Sequence, residues 1–365
     1  LDKTVNLGVD GSLKMGDTLV DSSGITIKAI NPINNVTLNN NGLNNGGNQI
    51  TNVASGVGDD NNAANIGDLN NAIAANKTKY YSVNSTGGSN DDNLGATGEN
   101  AMAMGRKASA AGSQSIAIGS VANGKPTNAS GEQSIAIGAN VVTTGGSAIA
   151  IGGDDLNAAS ETNLDGSSNI GANTGSVNTV FKTYTGRNLV EPAYYARNTE
   201  ASGAASIAVG SKALSKGHLS TAVGVQSSSD GVASSAFGMG SSASKDGSVA
   251  LGAGSTTLND ATYQEKLTIG NKDYNYAGAT NDKGAQVSVG SEERERQIKH
   301  VASGEVSATS TDGINGSQLH ATNESVKDLS TTVVANKTHY YSVEDGGTPK
   351  ANYNNDGATG ADAMA

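Results

Sequence analysis

Short phrases in which large apolar and small side chains alternate recur through the middle of the chain. In Ser115-Ile116-Ala117-Ile118-Gly119 the large residues stand two apart, which is the period of a β-strand. The same pattern predicts strands at 115–119, 134–138, 148–152, 206–210, 221–224, 235–238 and 248–252. We expect Ile116 and Ile118 to fill the inside of the fold and Ala117 to lie on the opposite face, open to close approach by a second copy.

The glycines that close these phrases recur every fourteen residues. The intervals run between Gly105 and Gly119, between Gly138 and Gly152, and along Gly210, Gly224, Gly238 and Gly252. A unit this short cannot bury its own apolar face, so successive units must stack on one another. Parallel strands about 4.8 Å apart would pair the backbone of each coil with its neighbours. The sequence therefore predicts a mainly β fold, a β-solenoid of parallel coils.

Departures from this period predict loops, because a solenoid accepts extra residues only where a coil turns at the surface. One interval contains a five-residue bulge around Lys125 and Pro126. After Gly252, the phrases closed by Gly270 and Gly290 predict two more coils, each with a short loop. The long gap between two regular coils predicts an insert over residues 154–202.

A longer repeat encloses the fourteen-residue one. ANKTKYYSV at 75–83 returns as ANKTHYYSV at 335–343, and VASG at 53–56 returns at 301–304. After Leu319, apolar or small residues follow at alternating separations of three and four, which predicts a brief coiled coil. Each coiled coil is too short to hold chains together alone, so we expect the solenoid to share in assembly.

These features predict five consecutive regions. They are a β-rich connector at 1–51, a neck with a short coiled coil at 52–76, a head at 77–290, a second neck with a coiled coil at 291–338, and the start of a second head at 339–365. Because the chain ends inside a phrase that continues at its earlier copy, we expect it to be a fragment of a longer modular protein.

Composition narrows the possible functions. The 365 residues include 49 Gly, no Cys, no Trp and only 2 Phe, and 35% are apolar, so any core must be narrow and poor in aromatic side chains. A net charge of -11 argues against nucleic acid or an anionic membrane surface as partner. The absence of cysteine excludes disulfides and thiolate metal sites.

The phrases of the head are followed by QVSVG at 286–290, ERERQIKHVASG at 293–304, TDGINGSQL at 311–319 and the apolar run of the second coiled coil. Over about residues 50–365 this order resembles the head, neck and stalk of the YadA-like trimeric autotransporter adhesins of Gram-negative bacteria. The resemblance implies a left-handed parallel β-roll head and three identical chains about one axis. It also implies a bacterial cell-surface location, with outer-membrane anchoring by a C-terminal segment absent from this chain. Residues 1–51 resemble the family's β-prism connectors.

The resemblance also assigns a neck and trimer role to particular residues. They are Arg296, Gln297, Ile298, Val301, Asp312, Ile314, Asn315, Gln318 and Leu319. Gly313 stands where the family usually has Ala. The first neck keeps Asn65 and Leu69 but has Asp68 where Gln is expected, so we expect the same kind of neck with altered polar contacts.

The 154–202 insert is the best sequence candidate for a ligand contact, because exposed Tyr and Arg are enriched at interfaces. The candidate residues are Phe181, Tyr184, Arg187, Tyr194, Tyr195 and Arg197. The alternative interpretation is that the insert packs on its own coil and binds nothing.

Enzymatic, metal and cofactor chemistry find little support in the sequence. The four histidines are scattered without HExxH spacing or a Ser-His-Asp grouping, so we expect no enzyme and no cofactor. Acidic pairs such as Asp59-Asp60 lack an EF-hand or calcium-roll pattern and are expected to be solvated loops. The tyrosine pairs at 80–81 and 340–341 are expected to cap open solenoid ends.

We therefore expect a homotrimeric surface adhesin that attaches bacteria to host matrix proteins, to host cells or to sister cells, with autoaggregation and biofilm formation. Two alternatives stay open. One is a structural fibre or spacer without binding activity, such as a phage-tail-fibre-like rod, and the other is a polysaccharide-processing solenoid enzyme.

Overall fold

The computed structural model describes residues 8–76, 90–121, 124–195, 197–337 and 359–362. The chain divides into two compact units, Leu1–Asn84 and Ser85–Ala365. The tyrosine pairs at 80–81 and 340–341, and nearly all of the predicted second head at 339–365, lie outside the described residues.

The first unit contains one antiparallel sheet of five strands in sequence order. The strands are β1 (Leu13–Met15), β2 (Thr18–Asp21), β3 (Gly24–Ile27), β4 (Val36–Asn39) and β5 (Gly42–Asn44), with a 3-10 helix at Pro32–Asn34 and helix α1 at Ile66–Ala75. The apolar alternation of ITIKAI at 25–30 contributes its first three residues to β3, and VTL at 36–38 lies within β4. The boundary at residue 51 stays a prediction.

The head belongs to the second unit, and its strands alternate along the chain between a longer and a shorter parallel sheet. In chain order they are β6 (Met102–Met104), β7 (Ser109–Ala110), β8 (Ile116–Ile118), β9 (Asn128–Ala129), β10 (Ile135–Gly138), β11 (Val142–Thr143), β12 (Ile149–Gly152), β13 (Glu200–Ala201), β14 (Ile207–Val209), β15 (Leu214–Ser215), β16 (Thr221–Val223), β17 (Ser228–Ser229), β18 (Ser235–Phe237), β19 (Ser242–Ala243) and β20 (Val249–Leu251). Two strands form a hairpin, β21 (Lys266–Ile269) and β22 (Lys272–Asn275), and β23 (Val287–Ser288) completes the longer sheet.

The register stacks equivalent positions of successive coils. Ile135 pairs with Ile149, Ala136 with Ala150, and Gly138 with Gly152 across β10 and β12. The same in-register parallel pairing runs through the whole longer sheet, so the predicted mainly β, parallel β-roll is confirmed.

The side of the strand that faces inward is the opposite of the sequence prediction. The alanine at the centre of each phrase is fully buried between the two sheets, whereas Ile116 and Ile118 are only half-buried on the outside. Fully buried alanines within the strands are Ala110, Ala117, Ala129, Ala136, Ala150, Ala201, Ala208, Ala222, Ala236, Ala243 and Ala250. The expectation that isoleucine fills the interior was wrong, because the centre of each of these strands packs closely against the shorter sheet and alanine fills the space there.

Hydroxyl pairs supply the polar part of this interior. Ser215 Oγ and Ser220 Oγ lie 2.6 Å apart, as do Ser229 Oγ and Ser234 Oγ. Ser220 and Ser234 also donate to backbone carbonyls of their own turns, at 2.7 Å in each case. Because these buried hydroxyls find partners, their hydrogen bonds offset the cost of removing them from water.

The turns repeat a left-handed conformation that non-glycine residues seldom adopt. Gln114, Gln133, Leu219 and Ala233 all have φ between 55° and 59°. The amide of Gln133 donates to Ser113 O at 2.8 Å, one coil away, and Ala233 donates to His218 O at the same distance. These bonds between coils offset a backbone cost of about 1–2 kcal/mol per residue.

The closing glycine has two reasons to be glycine. Gly138 has φ 123°, and a Cβ there would collide with the carbonyl oxygen of Gly152 in the next coil. Close stacking and the turn therefore both exclude a side chain at this position.

Two of the three departures from the period are as predicted. Strand β8 pairs directly with β10 across the bulge near Lys125, and β12 pairs directly with β14 across the long insert. The third differs, because Gly270 does not close a coil. Its phrase lies in the antiparallel hairpin β21–β22, and β20 pairs instead with β23.

The remaining helices lie in the insert and after the second neck. They are α2 (Asn157–Glu161), α3 (Ser176–Thr185), α4 (Pro192–Tyr195) and α5 (Gly316–Ala335). Within the described part of the chain, none of the helices is both long enough and apolar enough to cross a membrane.

The narrow interior predicts a large asymmetry between neighbouring positions of β16. Ala222→Val places two methyl groups in filled space and is expected to lower the free energy of unfolding by about 1–3 kcal/mol. Thr221→Val, on the outer face of the same strand, keeps the side-chain shape and should change it by less than about 0.5 kcal/mol. Chemical denaturation followed by circular dichroism measures both, and equal costs would contradict the assignment of alanine to the inside.

Candidate functional site

The outward side of the longer sheet carries the large aliphatic side chains. Two columns of residues, one on each side of the buried alanines, run across successive coils. The first is Met102, Ile116, Ile135, Ile149, Ile207, Thr221, Ser235, Val249 and Val287; the second is Met104, Ile118, Ile137, Ile151, Val209, Val223, Phe237 and Leu251. We call these two columns the outer aliphatic face. Because a contiguous apolar surface of this kind is costly in water, it marks an interface.

A second apolar surface follows helix α5. The seam residues Leu319, Val326, Leu329 and Val333 are all more than half exposed, and the 20-residue helix has no buried residue. In the first unit, Ile66, Leu69 and Ile73 of α1 are exposed in the same way. Within the part of the chain that the structure describes, the heptad faces of both helices are thus mostly exposed.

The neck before α5 is built around a cap on that helix. Asn315 Oδ1 accepts from the amides of Ser317 and Gln318 at 3.1 and 3.3 Å, and Asn315 Nδ2 donates to Val301 O at 3.1 Å. Gln318 Oε1 accepts from the amides of Gly304 and Asn315, while Gln318 Nε2 donates to Gly304 O at 2.7 Å. The Gln318 side chain therefore ties the start of α5 to Gly304 in the segment that precedes it.

The first neck repeats this frame with a carboxylate. Asp68 accepts from Ser55 Oγ at 2.6 Å, from the Gly56 amide at 2.8 Å and from the Asn65 amide at 3.1 Å. Asn65 caps α1 through the Asp68 amide at 2.9 Å and donates to Val53 O at 3.1 Å. The hydrogen bond from Ser55, followed by those from Gly56 and Asn65, holds the pKa of the Asp68 carboxyl below its usual value.

The predicted neck residues fall into two groups. The side chains of Asn315 and Gln318 meet the Val301 and Gly304 carbonyls in the cap. Exposed members are Gln297, Ile298, Val301, Asp312, Ile314 and Leu319. Ile298, Val301 and Ile314 line an open groove of about 440 Å³ beside the start of α5. Arg296 is half-buried and turns back to the head.

Two of the insert residues predicted to contact a ligand, Phe181 and Arg187, face the protein. Phe181 is 2% exposed and packs with Leu156 and Leu189, so in this structure its ring stabilises the insert and is not open to a ligand. Arg187 donates to Gln226 and lies over the Phe181 ring.

The other candidates in the insert are placed less deeply. Tyr184 is 41% exposed and Arg197 is half-buried. Tyr194 and Tyr195 lie in α4, and their side chains are outside the described set.

The sequence prediction missed the surface under the insert. Val225 and Met239 pack against the cluster around Phe181, and Gln226 is buried. A signal was present, since these residues stand one or two places after the closing glycines, where the first coils carry different residue types. Among the described residues, no group of three or more His, Asp or Glu side chains is arranged to hold a metal ion.

Two known families match parts of the chain. Five overlapping stretches match the YadA head domain repeat (2 copies): 96–122, 118–140, 129–154, 215–241 and 230–255. Residues 297–339 match the coiled stalk of trimeric autotransporter adhesin. The matched segments are the β-roll coils and the second neck with α5.

A curated relative and two solved structures are also similar. Autotransporter adhesin BtaE of Brucella suis biovar 1 (strain 1330) is 42% identical over 69 residues, which cover 19% of this chain and 9% of BtaE. The C-terminal YadA-like domain of BPSL2063 from Burkholderia pseudomallei is 39% identical over 31% of this chain and 55% of that one, with a TM-score of 0.28. The collagen-binding domain of Yersinia adhesin YadA is 22% identical over 62% of this chain and 85% of that one, with a TM-score of 0.36.

The two necks should respond differently to acid. Because the folded-state pKa of Asp68 is lowered, its contribution is complete above the ordinary aspartate pKa of about 4 and is lost as the pH falls through the folded value. We expect the amides of Gly56 and of the first turn of α1 to lose exchange protection below about pH 4. Hydrogen exchange measured by NMR should show Asp68→Gln abolishing this dependence, with Gly304 beside Gln318 as internal control. Equal acid sensitivity at both necks would contradict this assignment.

Proposed function

Because the chain is YadA-like, with matched head repeats and a matched stalk of the trimeric autotransporter adhesin type, we propose that three copies associate about one axis. The outer aliphatic face and the seams of α1 and α5 would form the contacts between chains. Coiled-coil association buries such a heptad seam, and a closed symmetric assembly covers the same patch on every copy.

The exposed seam of α5 is the observation that carries this proposal. Val326 and Leu329 are 60% and 63% exposed in the single chain, although their spacing is that of a buried coiled-coil position. An isolated helix of this length is marginal in water, and most helical stability in proteins comes from packing an apolar face. The helix therefore requires a partner, and other copies of the same helix supply the matching seam.

We also propose that the assembled rod is displayed on the bacterial surface, anchored in the outer membrane through a segment outside this chain. There it would attach cells to host matrix proteins, to host cells or to sister cells, with autoaggregation and biofilm formation. The adhesin relative supports this role, as does the modular repetition of the necks, since linked weak contacts gain strength by multivalency. No catalytic role is proposed for the described residues.

A spacer without binding activity is the second candidate function. It is favoured by the inward placement of Phe181 and the engagement of Arg187 by Gln226. In that case the head would extend the distance between the cell and a binding domain elsewhere in the protein.

The proposed trimer is tested by measuring the mass of the assembly and by introducing one charged residue into the seam of α5. Sedimentation equilibrium of the chain should give three times the chain mass, and Leu329→Lys should weaken association at least tenfold, or about 1.4 kcal/mol, because it buries a charge. Thr331→Lys, placed away from the seam on the same helix, should leave the mass unchanged. A monomer that retains its full β-sheet signal would overturn the proposal.

Adhesion is tested by binding of the purified assembly to immobilised collagen, fibronectin, laminin and cultured cells. An adhesin should bind at least one of them saturably, whereas a spacer should bind none above background. If α4 of the insert carries the contact, Tyr194→Ala combined with Tyr195→Ala should reduce binding at least tenfold, or about 1.4 kcal/mol. Thr183→Ala, at an exposed position of α3, is the control, and unchanged binding of the double variant would place the contact elsewhere on the head.

A further inference from the structure

The insert leaves the head after one coil and covers the turns of the coils that follow. These turns are marked by the residue two places after each closing glycine, which is Lys212, Gln226, Gly240 and Gly254 in successive coils. All four have φ between 54° and 67°, and each amide donates to the preceding coil at 2.8–2.9 Å. The ladder of turns is therefore a regular surface along one edge of the roll.

The turn at Gln226 is joined to the insert by hydrogen bonds and by apolar packing. Gln226 is 1% exposed, its Nε2 donates to Leu189 O at 2.7 Å, and its Oε1 accepts from Arg187. Phe181 packs above it, with Val225 and Met239 of the coils beneath. A buried amide with both ends paired fixes the insert at one position on the roll.

The next two turns are glycines because helix α3 lies directly on them. A Cβ on Gly240 would collide with the side chain of Thr185, and a Cβ on Gly254 would collide with the carbonyl oxygen of Tyr184. The preceding coils carry Lys212 and Gln226 at the same position, so glycine is not required by the turn alone. Close approach of α3 accounts for the change of residue type.

The end of α3 then meets the beginning of the second neck. Arg296 donates to Ser255 Oγ at 3.0 Å, to Ala253 O at 2.6 Å and to Val289 O at 2.5 Å, and its guanidinium carbon lies 6.0 Å from the centroid of the Tyr184 ring. A guanidinium at this distance is attracted by the face of an aromatic ring. One arginine thus contacts the last coil, the closing strand and the insert.

We propose that the insert is a brace that couples the last coils of the head to the second neck, with Tyr184 positioning Arg296. A solenoid is held by nearest-neighbour contacts, so its terminal coil, with one neighbour, is the first to open. Docking of α3 on the turns adds a contact that spans several coils and ends at the neck. Undocking the insert should therefore loosen the end of the head and the neck together.

The brace changes how the insert must be tested for ligand binding. Deleting residues 154–202 would expose Val225 and Met239 and leave the buried amide of Gln226 without its partners. Attachment could then fall because the head end is disordered, even if no insert residue touches a ligand. Substitutions that leave α3 docked separate the two effects.

Two alanine substitutions with equal backbone strain test the docking. Gly254 and Gly247 have φ 67° and 68°, but a Cβ on Gly254 meets Tyr184, whereas one on Gly247 meets nothing within 4 Å. In hydrogen exchange with mass spectrometry of the full chain, Gly254→Ala should accelerate exchange at least tenfold over residues 176–187 and 289–296 relative to Gly247→Ala. Equal exchange in the two variants would overturn the brace.

A second set of variants tests Tyr184 itself. Tyr184→Ala should accelerate exchange at 289–296 at least threefold, and Tyr184→Phe should restore protection because it keeps the aromatic face. Lys182→Ala, exposed on the same helix, is the control. If Tyr184→Ala matches this control, or if Tyr184→Phe behaves like Tyr184→Ala, the ring does not position Arg296. These readouts do not depend on ligand binding or on chain mass, so they succeed or fail separately from the proposed function.

Discussion

The space between the two sheets of the head is the constraint on which the rest of the structure depends. At the centre of the longer-sheet strands it accepts alanine in place of a large aliphatic side chain, as the fully buried Ala117, Ala136 and Ala222 show. The large aliphatic residues are therefore forced outward, where a single chain cannot cover them. Since the hydrophobic effect scales with the area removed from water, covering this outer face would add apolar stabilisation that a single chain does not obtain.

The same stacking decides where the chain tolerates extra residues. Every interior strand is paired on both sides, so an insertion inside a strand would break two ladders, whereas an insertion at a turn breaks none. The bulge near Lys125, the 154–202 insert and the β21–β22 hairpin all leave the longer sheet continuous. Insertions of very different length are thus accommodated in the same way, at turns between paired strands.

The sequence predicted the parallel roll because its signal is the period, but it did not predict which face is inside. The inner face could have been identified from how much the residue size varies at each position of the phrases. The central position is Ala in the phrases closed by Gly119, Gly138 and Gly152, while the flanking positions vary from Ser235 to Phe237. Only a position with no spare volume demands one small residue, and variation in size marks the outside. Gly270 fails the same criterion, since Thr268 stands where alanine is required.

The insert shows where sequence reasoning could not succeed. Val177, Phe181 and Tyr184 follow one another at helical spacing, which indicates that α3 has an apolar face. The surface against which that face packs lies some fifty residues later, on coils that the period describes as identical. Long-range docking of this kind leaves no pattern within the insert itself, and its one sequence signal is the change of residue type after Gly224 and Gly238, so aromatic content alone made Phe181 look like a ligand contact.

The two necks show how a departure from a motif can preserve its structure. Gln318 offers a donor and an acceptor, and it satisfies both the amide and the carbonyl of Gly304. Asp68 offers acceptors alone, so it takes the amide of Gly56 and recruits the hydroxyl of Ser55 in addition. A charged acceptor makes stronger hydrogen bonds than an amide, which offsets the lost donor. The structure of the neck is thus set by the backbone groups that need hydrogen-bond partners, and either side chain can supply them. Only the carboxylate makes the stability of the junction depend on pH.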